Sequence, residues 1–232
     1  MSRRVRLLST LLIVAGVLML ADVAVTLAWQ EPVTALIALV KRGNIDKRYL
    51  SYDSMPLSAA QRASLLAMAN VDERVAYLAR QDQREVPNGA AIGRLEIPRI
   101  GVSYEVVQGT DTSDLELGPA HYADTAFPGL GETVAIAGHR TTYLAPFRNL
   151  NLLVRGSRIV LQMPYASFDY VVTSQRVVQP NALWITRNVG YEQLVLSACN
   201  PLYSASQRIA VFARLVSTHP SKTALDKTWT SI

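Results

Sequence analysis

EQLVLSACNPLYSASQRIAVFARLV, residues 192–216, consists of two apolar runs separated by a polar turn. Both runs are rich in branched aliphatic residues, and Asn200-Pro201 followed by serines marks the turn between them, so the stretch is read as two strands and a connection. If the strands pair as an antiparallel hairpin, Arg208 returns beside Cys199. Cys199 is the only cysteine of the chain. It cannot form an internal disulfide, and is therefore a buried apolar residue, an intermolecular half-cystine or a working thiol. Its place where a strand gives way to a turn is how a nucleophile is commonly mounted, with the backbone fixed and the side chain facing an opening.

The same texture extends outward from this stretch. GRLEIP, VSYEVVQG, TVAIAG, SRIVLQM and FDYVVTSQRVV precede it, separated by Pro98, Gly101, Gly118-Pro119, Pro128-Gly129, Pro164 and Pro180-Asn181. Seven or eight short strands over about 125 residues predict a mainly β domain, a closed barrel or a sandwich, spanning 91–217. Residues 218–232 read as a polar tail.

Upstream the chain changes character. MSRRVR carries three arginines and is followed by LLSTLLIVAGVLMLADVAVTLAW (7–29), in which Asp22 is the only charge. At about 1.5 Å per residue this run matches the roughly 30 Å of a bilayer's hydrocarbon core. It exceeds the usual hydrophobic region of a cleaved signal peptide. The reading is a cytoplasmic tail (1–6), a transmembrane signal anchor (7–29) with Trp29 at the outer interface, and the remainder of the chain outside the cell, because the arginines stay inside.

Residues 30–90 read as a helical juxtamembrane spacer or lid. VTALIALV (33–40) is a short apolar piece closed by Lys41, Arg42 and Gly43. Ser58 with Gln61 three residues on forms a capping-box pattern. After it, Leu65, Met68, Val71, Val75 and Leu78 fall at spacings of three and four, an amphipathic stripe along a helix. The formal net charge of +5 is spread along the 232 residues without a basic cluster, so no nucleic-acid partner is expected.

A thiol nucleophile needs a neighbouring base or cation, because the thiolate is the reactive form. The three histidines are His121, His139 and His219. His139, in TVAIAGHRTTY, ends an apolar strand as Cys199 does. His121 follows a turn and His219 lies in the tail, neither with such a mounting. Arg208 opens the strand after the cysteine, and its fork of donors suits a developing oxyanion.

AIAGHRTTYLAPFRNL (135–150), LVLSACNPLYSASQR (194–208), IPRIGVSYEVVQGTD and GPAHYADTAFPG together resemble the sortases, the membrane-anchored cysteine transpeptidases of Gram-positive bacteria. The likeness covers roughly residues 92–216, and GHRTTY and CNPLYSASQR look most like class E enzymes. The resemblance implies a closed sortase-like β-barrel of seven to eight strands with short helices. It implies catalysis by Cys199, His139 and Arg208 on an LPxTG- or LAxTG-type sorting signal of surface proteins, cut between Thr and Gly. The product is passed to an amine of a cell-wall precursor or protein.

Tyr122 and Tyr143 are the expected substrate contacts, with Ala198, which stands where the family often has threonine in TLxTC. No cofactor or metal is expected. Asp124 and Glu132 alone are too few for the calcium site of some class A members. Two other readings stand beside this one: an exported thiol hydrolase on the same scaffold, and a non-catalytic anchored β-domain that binds wall or protein partners.

Overall fold

The computed structural model describes residues 3–28, 34–40 and 57–225. Helix α1 (Arg3–Ala28) lacks acidic residues in its first turn and basic ones in its last. Over Arg3–Val25 its mean hydropathy is 2.3 and none of it is buried by the rest of the protein. Twenty-three residues rise about 35 Å, long enough to cross a bilayer; a signal sequence near the N-terminus has the same character. Trp29 and the Lys41–Gly43 closure lie outside the described residues. A short helical stretch, α2, occupies 34–40.

Helix α3 (Ala59–Ala67) begins as its capping box requires. Ser58 Oγ accepts from Gln61 N–H while Gln61 Oε1 accepts from Ser58 N–H. The apolar stripe does not run on as one helix. Met68 ends α3, and Asn70 starts α4 (Val71–Glu85) by accepting from Asp72 N–H; an asparagine that can cap a new helix competes with continuing the old one. Arg74 is buried across this break and donates to the Met68 and Ala224 carbonyls. Leu65, Val75 and Leu78 still fall on one side and join the barrel's core.

Eight strands form a closed barrel in the order β1-β2-β3-β4-β7-β8-β6-β5, with β5 returning to β1. They are β1 (Ala91–Ile97), β2 (Val102–Gln108), β3 (Ala120–His121), β4 (Thr133–Ala137), β5 (Arg158–Gln162), β6 (Ala166–Val178), β7 (Gln193–Asn200) and β8 (Gln207–Pro220). Short helices α5 (Thr112–Leu115) and α6 (Lys222–Leu225) complete it. Closure leaves no free sheet edge, which the many short strands would otherwise expose.

Seven of the strands coincide with the apolar segments of the sequence. The eighth, β3, is two residues long and carries His121, which therefore does have a strand mounting. β8 also continues to Pro220, because β6 is long enough to pair with it out to Ala166, so Thr218, His219 and Pro220 belong to the sheet rather than to a tail.

The interior is filled by alternate strand residues together with Phe127, Phe147, Phe168, Tyr165 and Tyr170. Both tyrosines place their hydroxyls on acceptors, Tyr165 on Pro128 O at 2.8 Å and Tyr170 on Glu192 Oε1 at 2.7 Å. Glu192 also accepts from Gly129 and Gly131 N–H. Burial pushes its carboxyl upward, opposed by these donors. The carboxylate thus holds the start of β7 to the loop before β4.

His121 is 1 % exposed. Its Nδ1 meets the Gln108 side-chain amide at 2.9 Å, and its Nε2 meets Ala126 O and Thr125 Oγ1, each at 3.0 Å. Burial lowers its pKa from 6.5 to about 4, with the Ala126 carbonyl pulling the other way. The folded protein therefore resists a proton that the unfolded chain accepts, and stability present above pH 6.5 is lost as pH falls toward 4. The expected loss from this group is about 3 kcal/mol. Chemical denaturation of the parent and of His121→Gln between pH 7 and 4 measures it. The variant should be less stable at pH 7 and fall less steeply; parallel curves would contradict the assignment.

Candidate active site

Three strands bring the site together. β7 pairs with β8 in antiparallel register, and Cys199 is directly opposite Arg208. On the other side β7 runs parallel to β4, with Ala137 opposite Ser197. One residue beyond that pair Gly138 donates to Ser197 O at 3.0 Å. His139 and Cys199 are each two residues past the same register pair, so they leave the sheet at one level of the barrel rim.

Along β7 the side chains alternate. Leu194, Leu196 and Ala198 lie in the barrel interior, whereas Val195 lies in a second apolar cluster on the outer face with Ala135, Ile185, Ala210 and Phe212. By the same period Ser197 and Cys199 belong to the outer face. Tyr122 packs over that cluster, and its hydroxyl is 3.0 Å from Ser197 Oγ, two residues from the sulfur. Cys199 is partly exposed and in no disulfide. Ala198, 3 % exposed, points into the core, so its side chain does not share the face of Tyr122 and Cys199.

The loop after His139 is shaped by backbone rather than by exposed polar residues. Tyr143, Leu144 and Ala145 have φ of 49°, 63° and 43°, a left-handed run that costs energy for non-glycine residues. It turns the chain so that Phe147 N–H donates to His139 O at 3.0 Å. Tyr143 then lies with its ring 5.1 Å from that of His139, donates its hydroxyl to Glu116 Oε1 at 3.0 Å, and donates its N–H to Thr34 Oγ1 at 3.3 Å.

Arg208 is held by its own turn. Nη1 donates to Ala205 O and Gln207 O, both at 2.9 Å, while Nε and Nη2 have no hydrogen-bond partner among the described residues. A second arginine, Arg140, lies behind the cysteine and is 5 % exposed. Its Nη1 donates to Asn200 Oδ1 at 2.7 Å and to Cys199 O at 3.3 Å. Its Nε donates to Arg148 O at 3.2 Å and its Nη2 to Asn151 Oδ1 at 2.9 Å. Burial and the nearby Arg148 lower its pKa, and the interaction with Cys199 raises it.

Of His139, Cys199 and Arg208, to which the sequence pointed, the register sets Cys199 opposite Arg208, and His139 follows two residues after the β4–β7 pair Ala137–Ser197. Tyr122 reaches Ser197 on β7 and Tyr143 lies against His139, and Ala198 is turned away. Arg140 was not singled out from the sequence; adjacency to His139 was the only signal. Among the described residues no three His, Cys, Asp or Glu side chains gather as a metal centre would.

Residues 95–216 match the family model of the sortase domain. Sortase D of Bacillus subtilis (strain 168) is 33% identical over 132 residues, which are 55% of this chain and 65% of that relative, so the match spans just under two thirds of its length. The structure of sortase E from Streptomyces avermitilis superposes with a TM-score of 0.53 at 34% identity, covering 60% of this chain and 99% of that one. A crystal structure of sortase E1 from Streptomyces coelicolor with a tripeptide in its active site gives 0.56 at 26% identity, covering 60% and 98%.

Gly138 ties these elements together, since a Cβ there would stand 2.5 Å from the Phe147 ring. Gly138→Ala should cost about 1–3 kcal/mol through overpacking, read as a fall in thermal midpoint, and adding Phe147→Leu should recover part of it. Unchanged stability of Gly138→Ala would show that the loop after β4 is not packed this way.

Proposed function

Because the chain belongs to the sortase family, we propose that it is a cysteine transpeptidase held at the outer face of a membrane by α1. The observation that carries this reading is the register that sets Cys199 opposite Arg208 with His139 leaving β4 at the same level. In the reaction, the Cys199 thiolate attacks the carbonyl carbon of the threonine in a sorting signal, and the carbonyl π electrons move onto oxygen. Arg208 donates to that oxyanion through the nitrogens its turn does not hold. His139, as its imidazolium, gives a proton to the departing glycine amine as the C–N bond breaks, leaving a thioester on Cys199. An incoming amine attacks the thioester, His139 takes its proton, and the new amide leaves with the thiolate restored.

The arrangement suits this chemistry. From Thr133 to Phe168 and from Gln193 to Val216 the chain contains arginines but no Asp or Glu. These segments place no carboxylate of their own where the reaction develops negative charge on sulfur and then on oxygen. Tyr122, packed over the buried cluster of Ala135, Val195 and Ile185, edges the rim at Cys199 where an extended peptide would find its bed. An LPxTG or LAxTG signal is the proposed substrate, the second following from the class E likeness of GHRTTY and CNPLYSASQR. The acceptor is an amine of a cell-wall precursor or protein. Anchoring by α1 would keep the enzyme where membrane-bound donor and acceptor meet, raising their effective concentration.

The full chain in detergent, given LPxTG and LAxTG peptides and a small amine, should yield a product joined to the amine after threonine, read by mass spectrometry. Cys199→Ala should abolish it. His139→Ala and Arg208→Ala should each lower kcat/KM by about 10²–10³. Threonine-ended product without amine would favour the hydrolase; no cleavage by the parent chain would contradict the proposal.

A further inference from the structure

The residues adjacent in sequence to the three proposed catalytic side chains are themselves joined. Arg140 follows His139, Asn200 follows Cys199, and Gln207 precedes Arg208. Asn200 and Gln207 are cross-strand partners one step beyond Cys199 and Arg208, which turns their side chains to the opposite face. There Arg140 donates to Asn200 Oδ1, and Asn200 Nδ2 donates to Gln207 Oε1 at 3.3 Å. The network repeats the site's connectivity on its reverse side, through side chains that the proposed reaction does not itself use.

Its energetics argue against simple packing. Every hydrogen-bond acceptor of Arg140 among the described residues is a neutral oxygen: the carbonyls of Arg148 and Cys199 and the amides of Asn151 and Asn200. A buried cation without a counter-ion is expensive, and a neutral side chain of similar length would fill the same space at lower cost. The residue whose carbonyl it holds, Cys199, is the one on which the proposed reaction places a negative charge. The guanidinium also pins the Cys199 carbonyl, which fixes the peptide plane from which Cα–Cβ and the sulfur project. Through its bonds to Arg148 O and Asn151 it closes the loop that carries His139.

We infer that Arg140 is a positioning residue which, acting through Asn200 and Gln207, sets Cys199, His139 and Arg208 relative to one another and supplies a buried charge without a counter-ion behind the Cys199 peptide. This rests on the transpeptidase reading, and it goes beyond that reading by assigning work to three residues to which that reading gives no role.

The test uses the full chain and two readouts: the rate at which iodoacetamide alkylates Cys199, followed by intact mass, and the steady-state kinetics of peptide transfer. Arg140→Met should slow alkylation about 10-fold or more and lower kcat about 10- to 100-fold with KM within about threefold, because the sulfur's geometry and field change while the peptide bed does not. Arg140→Lys, which keeps the charge but not the fork, should recover part of the alkylation rate. Gln207→Leu, half-buried and remote from the core, should fold normally and lower kcat about threefold or more, and adding it to Arg140→Met should cost nothing further, since both break one network.

Parental alkylation in Arg140→Met, equal rates in the Lys and Met variants, or multiplicative effects in the double variant would overturn the inference. A parent chain with an unreactive Cys199 and no turnover would instead remove the reading beneath it, and this inference with it. A reactive parent with a normal Arg140→Met would remove only the inference.

Discussion

The placement of β7 between β4 and β8 is the constraint on which the site depends. Strand side chains alternate with period two, so a slip of one residue would carry Cys199 into the barrel and Ala198 out of it. Two polar knots oppose such a slip. At the start of the strand, buried Glu192 takes the Gly129 and Gly131 amides and the Tyr170 hydroxyl. At its end, Arg140 holds Cys199 O and Asn200. Between them Leu194, Leu196 and Ala198 fill the interior. A strand fixed at both ends and packed along one face has one register, and that register sets the sulfur opposite an arginine.

The second apolar cluster extends the argument to the outer face. Ala135, Ile185, Val195, Ala210 and Phe212 cover β4, β7 and β8 from outside, which makes those strands buried on both sides near the site. Their near-continuous hydrophobic sequences, TVAIA and LVLSA, follow from this two-sided burial. Trp184 stacks on Phe212 at 6.0 Å and 10°, anchoring the connection between β6 and β7 over the cluster. For the proposed chemistry this rigidity matters, because an acyl transfer in which nucleophile, proton donor and oxyanion donor come from separate strands tolerates little drift between them.

Much of this was legible in the sequence. Branched aliphatic runs separated by proline and glycine located seven strands, and the hairpin of 192–216 placed Arg208 near Cys199 before any register was known. The Ser58 capping box was legible because it is local. What was not legible depends on tertiary context. β3 is too short to carry a pattern, and it exists because Ala120 and His121 bridge β2 and β4. The helix break at Met68–Asn70 was hidden by an apolar spacing that suits two helices as well as one. The inward direction of Ala198 follows from strand alternation, but family likeness drew attention to the position rather than to the face. Arg140 could not be found, since only the folded chain shows that its partners lie on β7 and in the loop beyond His139.

The central claim is that Cys199 becomes acylated by a sorting peptide while His139 and Arg208 manage charge around it. Intact-mass spectrometry of the full chain, mixed with peptide in the absence of any amine and quenched within seconds, tests it most directly. The account expects the chain to gain the mass of the peptide up to its threonine, on Cys199 alone, and to lose it when hydroxylamine is added. A chain that releases cleaved peptide without ever carrying it, or that carries it at a residue other than Cys199, would contradict the account.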